Sequence, residues 1–241
     1  MRISNTTLMT KSSHDPRYVP PEYDPGDFKR PSLTTDAIIF TVEMGVLETL
    51  LVQRGKHPYK DYWALPGGFA NPGERVQDSC LRELEEETNL TGINPYLLGV
   101  YDTPGRDPRT WVASVAYYAI IPWDAVQMKG IKAGDDARNA GWAVAYEDKL
   151  PPLAFDHAVM LADAVKDIRQ KSMISSILWP LLAKVADDST LAPQSFTKEK
   201  LLEVYRAVHN TPWTEAELYD RLRSRGVICR TDNGNLEFVI N

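Results

Sequence analysis

Between Gly67 and Thr88 the chain reads GGFANPGERVQDSCLRELEEET, with glutamates at 83, 85, 86 and 87. Side chains three and four apart share a helix face, so Glu83, Glu86 and Glu87 would crowd together, each like-charged pair costing roughly 0.2–0.5 kcal/mol. A hard cation resolves that crowding. Mg²⁺ prefers oxygen ligands, keeps several waters, and is usually held by a few carboxylates together with substrate phosphates. Such an ion bridges phosphate oxygens and lowers the pKa of a water, so hydrolysis of a pyrophosphate linkage is the natural chemistry. Gly67 and Gly68, just ahead of the helix, allow a tight turn and close backbone approach. A charge-assisted pair from Arg82 to Glu86 or Glu74 would orient the carboxylates.

The elements that must hold this cluster follow from the flanking pattern. TTDAIIFTV and LETLLVQR are short β-branched and apolar runs about a turn-like EMGV, which predicts a strand pair. YWALPGGF predicts a strand ending at Pro66-Gly67-Gly68, followed by a helix from about Arg75 to Thr88. On that helix Cys80, Leu81 and Leu84 should face the core, leaving the carboxylates at a cleft edge. NPYLLGVYD, TWVASVAYYAIIP and AGWAVAYED predict further strands. Strands on both sides of one helix, without regular alternation, predict a mixed α+β sandwich. LAFDHAVMLADAVKDIRQK has helical spacing at Ala158, Leu161, Ala162, Val165 and Ile168.

We expect an extended Pro-rich arm over 1–31, a main α+β domain over 32–172, a connecting helix and linker over 173–194, and a small domain over 195–241. The last contains two helices, the second opening on a Thr214/Glu217 capping box, and a hairpin turning at Asp232-Asn233-Gly234. That order predicts a winged-helix-like module. The formal net charge of −6 gives no chain-wide basic footprint for nucleic acid. Cys80 and Cys229 lie far apart without a metal-ligand spacing, and no run suits a signal peptide or membrane span, so a reduced, cytoplasmic protein is expected.

Spacing sharpens the acidic helix. Gly68, Glu74, Arg82-Glu83-Leu84, Glu86-Glu87 and Leu90 stand in the register of the Nudix box, and the chain resembles the Nudix hydrolases there, departing only at Asn89, where that family usually has glycine. Asn is the next most tolerant residue for a left-handed helix end, so the backbone shape should survive. The alternative is a solvated acidic helix with an Arg82–Glu86 pair; Gly68 and Glu74 in register argue against it. The resemblance implies a Nudix α/β/α sandwich with a mixed sheet, Mg²⁺ (or Mn²⁺) as the cofactor, metal ligands Glu83, Glu86, Glu87 and Gly68, and Arg82 as their positioning partner.

LLVQRGKHPYKDYWALPGGF, RDPR and AFDH are in turn similar to ADP-ribose pyrophosphatases and to Nudix-related transcriptional regulators, which append a winged helix. This implies a nucleoside-diphosphate-linked small molecule as substrate, most simply ADP-ribose. Arg54, Arg106 and Arg109 are candidates for the diphosphate or terminal ribose, because guanidinium forks suit phosphate oxygens. Phe69, Tyr62 and Trp63 are candidates for stacking on adenine. Asp156 and His157 are expected to start a helix. The general base stays open among Glu83, Glu87 and later acids such as Asp135 and Asp136. The competing reading is an ADP-ribose-responsive regulator that binds DNA through the winged helix. Seven basic and seven acidic side chains from Ser195 to Asn241 balance, which disfavours a module whose affinity comes from neutralising phosphates. Catalysis therefore ranks first, DNA is the lesser partner, a homodimer is an open expectation, and no membrane partner is expected.

Overall fold

Strand β1 (Ser32–Glu43) is buried along nearly its whole length, and the sheet is organised around it. The computed structural model describes residues 19–20, 23–125, 130–131, 137–182, 195–230 and 236–238. The chain divides into two units, 1–31 and 32–241. In the first, Asp24 caps a single 3₁₀ turn at Pro25–Asp27 by accepting from Gly26 N at 2.7 Å, and Tyr23 stacks on Phe28 at 6.3 Å.

In the second unit, β1 turns into β2 (Val46–Arg54) through Met44 and Gly45, both at positive φ, the geometry that matches the twist of a two-residue hairpin. There follow β3 (Trp63–Ala64), β4 (Gly67–Phe69), helix α1 (Val76–Thr88), β5 (Tyr96–Tyr101), β6 (Val112–Ile120) and β7 (Ala137–Val144). The sheet order is β3-β2-β1-β6-β5, with β4 also on β1 and β7 also on β2. β1 and β6 are parallel from Ser32↔Val112 to Phe40↔Ile120, and the other pairs are antiparallel, so the sheet is mixed as expected. Because β6 takes one edge of β1 throughout, β2 and β4 share the other: β2 pairs Phe40 to Glu43, and β4 pairs Thr34 to Asp36. The sheet opens where one strand gives way to the other.

Alternation then sorts the strands into two layers. Ala37, Ile39, Tyr117 and Ala119 point to α1 and pack with its Cys80 and Leu84. Ile38, Phe40, Ala116 and Tyr118 point the other way, against helices α2 (His157–Ser172), α3 (Trp179–Leu182), α4 (Lys198–His209) and α5 (Glu215–Ser224). Each fully buried Leu, Ile or Phe there contributes roughly 1.5–3 kcal/mol. The C-terminal segments add a three-stranded sheet, β8 (Ser195–Phe196), β9 (Ile228–Arg230) and β10 (Leu236–Phe238), in the order β8-β10-β9. Val204, Tyr205, Val208, Leu218 and Leu222 belong to the same apolar cluster as the main sheet. Tyr205 donates to Ser172 O at 2.7 Å, and Arg169 Nε to Val208 O at 2.8 Å, tying α4 to the end of α2.

Two expectations change in detail. YWALPGGF is two short strands: Pro66 has no N–H to continue a ladder, and its carbonyl instead accepts from Ala37 N at 2.8 Å. In α2 the buried stripe runs through Met160, Leu161, Ala164, Val165 and Ile168, while Ala158 and Ala162 are exposed, because they lie off the face that the three- and four-residue spacing turns to the sheet. The Thr214/Glu217 capping box is present, whereas the Asp232-Asn233-Gly234 turn lies outside the described residues.

Candidate active site

Asn89 ends α1 in the left-handed region at φ 62°, its N–H returning to Glu85 O, so the helix closes as a glycine would close it. One turn earlier Glu83 and Glu87 face β4. Gly67 N donates to Glu87 Oε2 at 2.9 Å. Gly68 lies so near Glu83 that a Cβ there would meet its carboxylate at 2.4–2.7 Å. A Cβ at Gly67 would sit 2.1 Å from Thr35 O, a backbone atom that cannot yield. The two glycines thus let strand β4 and two carboxylates share one volume.

Arg82 holds the carboxylates from the far side. Its Nε donates to Glu74 Oε1 at 2.9 Å, one terminal nitrogen reaches Glu83 at 2.7 Å and Glu86 at 3.2 Å, and the other reaches Phe69 O at 3.2 Å. The Arg82 hydrogen bond is the main reason the Glu74 carboxyl is held down to about 2, with Asn71 N–H adding to it. Burial pushes Glu83 upward against the pull of Arg82, and pushes Glu87 up to about 7, where Glu83 and Asp36 add repulsion and Gly67 N–H opposes.

Glu83, Glu87, Gly67 and Gly68 line one part of a cleft of about 440 Å³ that also takes in Asp36, Arg54, Lys56, His57, Phe69, Arg106, Asp107, Arg109, Phe155 and His157. Its floor is a buried polar network. Leu65 N–H donates to His157 Nδ1 at 2.9 Å, so the neutral ring carries its proton on Nε2, which lies 3.3 Å from Asp36 Oδ1. Burial lowers the His157 pKa, keeping the ring neutral. Ser114 Oγ donates to the other Asp36 oxygen. Arg106 is buried and makes a bidentate pair with Asp156 at 2.9 and 2.6 Å. At the mouth, Phe155 stands at φ 52° with Arg54 and Arg109 over its ring at 4.8 and 5.8 Å, and Arg109 also covers Phe69 at 5.2 Å. Arg109 is forked onto Asp107, while burial and the nearby Arg109 lower the pKa of Arg54.

The structure brings Glu83, Glu87, Gly67, Gly68, Phe69, Arg54, Arg106 and Arg109 into one cleft. Glu86 stays outside it, exposed and paired to Arg82. Arg106 is there with its guanidinium already committed to Asp156. Tyr62 and Trp63 do not line the cleft; Trp63 packs on the core beneath, as aromatics beside a strand commonly do. Asp156 makes no side-chain cap on α2, because its carboxylate serves Arg106 instead. Asp36, Phe155 and His157 are cleft residues that sequence reading undervalued; for Phe155 and His157 the run AFDH was the available signal. Asp135 and Asp136 lie outside the described residues.

Among the described residues no group of three or more His, Cys, Asp and Glu side chains converges as a ready metal cage. Glu83 and Glu87 nonetheless fit a divalent cation. Burial raises both carboxylates and neighbouring acids add to it, so they gain from a positive charge, and Mg²⁺ needs only one or two carboxylates when phosphate oxygens complete its shell. Carboxylates and arginines lining one cleft suit a ligand whose diphosphate meets both a bound cation and a guanidinium.

Comparison with known proteins agrees with this geometry. A model of the NUDIX domain matches residues 32–164. The chain is 29% identical over 219 residues to the ADPR responsive transcriptional repressor NtrR of Acinetobacter baylyi, covering 89% of this chain and 81% of that one. It is 37% identical over 139 residues to an ADP-ribose pyrophosphatase of Methanocaldococcus jannaschii, covering 58% and 76%. A MutT/nudix family protein from Enterococcus faecalis superposes with a TM-score of 0.71 at 26% identity, covering 88% of each chain. Shewanella oneidensis NrtR in complex with a 27mer DNA gives 0.65 at 28% identity, covering 86% and 93%.

Proposed function

The chain belongs to the Nudix domain family, and we propose that it hydrolyses the pyrophosphate of a nucleoside diphosphate derivative, converting ADP-ribose to AMP and ribose 5-phosphate. One observation carries this reading: Glu83 and Glu87 are packed against Gly68 and Gly67 in a cleft that Arg54 and Arg109 also line. Glu83, Glu87 and Gly68 would hold Mg²⁺ or Mn²⁺, with Glu86 available at the exposed edge. When bound, the ion supplies Lewis acidity toward phosphate oxygens and a water of lowered pKa. Arg82 keeps Glu83 and Glu74 fixed, so the carboxylates do not reorganise as charge develops. Arg54 and Arg109 orient the diphosphate, and Phe69 offers an exposed ring beside them.

The test is a Mg²⁺-dependent turnover panel of ADP-ribose, NADH, sugar nucleotides and nucleoside triphosphates, run beside Glu87→Gln. ADP-ribose should be the best substrate, and the variant should lose at least about 100-fold in kcat while keeping its fold. No turnover of any of these by the wild type would overturn the catalytic reading.

A second reading has its own support. The repressor relative aligns over most of the chain, C-terminal segments included. Residues 195–241 serve in this reading as a winged-helix-like module that binds duplex DNA and releases it on binding ADP-ribose, the protein acting as a homodimer in the cytoplasm. The balance of charge in those residues places it second. Among the described residues no helix is long and apolar enough to cross a membrane. Duplex binding that weakens steeply with salt and is reversed by ADP-ribose would establish the regulator, and a monomer in light scattering at micromolar concentration would rule out the dimer.

A further inference from the structure

The catalytic reading employs the carboxylates and the arginines, yet leaves the cleft floor without a task. That floor is unusual chemistry to bury. Asp36 and His157 are only 6% and 4% exposed, and both line the cleft. A carboxylate offers about four acceptor sites. Among the described residues Asp36 receives one hydrogen bond, from Ser114, and a longer approach from His157 Nε2 at 3.3 Å, while Arg106 at 3.9 Å from Oδ2 is beyond hydrogen-bonding distance. His157 is anchored by Leu65 N–H with its proton-bearing Nε2 turned to the same carboxylate. The floor therefore presents a fixed N–H donor beside spare carboxylate acceptors.

A terminal phosphate is mostly dianionic near neutral pH and is repelled by this carboxylate. A sugar hydroxyl is different: it can accept from His157 Nε2–H and donate to Asp36 at once, and a vicinal diol can occupy both Asp36 oxygens. Electrostatics thus divide the cleft, with the anionic part of a ligand drawn to Arg54 and Arg109 and the neutral, hydroxyl-rich part to the floor. We propose that Asp36 and His157 form a sugar-hydroxyl subsite that selects nucleoside diphosphates carrying a terminal sugar over those ending in phosphate. This rests on the nucleotide-sugar reading above and adds the residues that enforce it.

Calorimetric titration of the full chain with ADP-ribose and with ADP, in Ca²⁺ with turnover checked to be absent, tests it. The wild type should bind ADP-ribose at least about 10-fold more tightly than ADP, as expected for hydrogen bonds to a charged acceptor. Asp36→Asn and His157→Gln should each weaken ADP-ribose by about 10-fold or more, while ADP stays within about threefold or tightens, because Asp36→Asn removes a repelling charge. General damage to the cleft would weaken both ligands together, and that outcome overturns the subsite. Melting curves identify a variant that fails to fold; the wild-type preference then decides, and equal affinity for the two ligands overturns the inference. A wild type that binds no ADP-ribose overturns the proposed function as well, whereas one that binds it with an unchanged preference in Asp36→Asn overturns this inference alone.

Discussion

Gly67 and Gly68 are neighbours in sequence with separate jobs. At Gly67 the obstacle to a side chain is Thr35 O at 2.1 Å, part of the central strand. Gly67→Ala should therefore cost stability, about 2 kcal/mol or more, read as a drop in melting temperature. At Gly68 the obstacle is the mobile end of Glu83. Gly68→Ala should fold with a melting temperature close to the wild type and lose most of its turnover, because Glu83 must leave its place beside Arg82. Equal effects of the two substitutions on stability would contradict this division. Arg106 teaches a related lesson: a guanidinium both buried and forked onto a carboxylate, as Arg106 is on Asp156, has little left for a ligand, whereas Arg109, forked onto Asp107, keeps an exposed side.

Among the elements, α2 connects distant parts of the molecule. It begins with His157 in the cleft floor and ends at Ser172, whose Oγ lies 2.9 Å from His209 Nε2 and whose carbonyl accepts from Tyr205. Burial lowers the His209 pKa to about 4, with Arg169 adding repulsion. The sign follows from linkage: the folded pKa lies below the unfolded value, so the stabilisation is complete above about pH 6.5 and is lost as pH falls toward 4. Denaturant unfolding should show a loss of about 2–3 kcal/mol across that window attributable to this residue. His209→Gln, which can still bond Ser172, should flatten the pH dependence there; an unchanged slope would show that other groups cause it.

At the scale of the whole molecule, one apolar cluster joins the main sheet to α4 and α5. The C-terminal segments are then part of the folding unit and not a freely tethered module. Calorimetry of the full chain should give a single transition for residues 32–241, and a chain ending at residue 182 should expose Phe40, Tyr118 and Ile168 and precipitate or melt at least about 10 °C lower. A separate, reversible transition for residues 195–241 would refute the shared core.

The sequence by itself determined what depends on local spacing: the strand pair about Met44-Gly45, α1 with its left-handed end at Asn89, the capping box of α5, and the carboxylate cluster with Arg82 behind it. Each is set by residues within a few turns of one another, where helical and strand periodicities act directly. Tertiary structure alone decided which polar groups share the cleft. Asp36, Arg106 and His157 come from a strand, a loop and a helix start separated by scores of residues, and each also carries an ordinary local reading: β-strand position, surface arginine, helix opening. Only the register of β1 with β4 and the packing of α2 over the sheet bring them together in one cleft, and no periodicity encodes that.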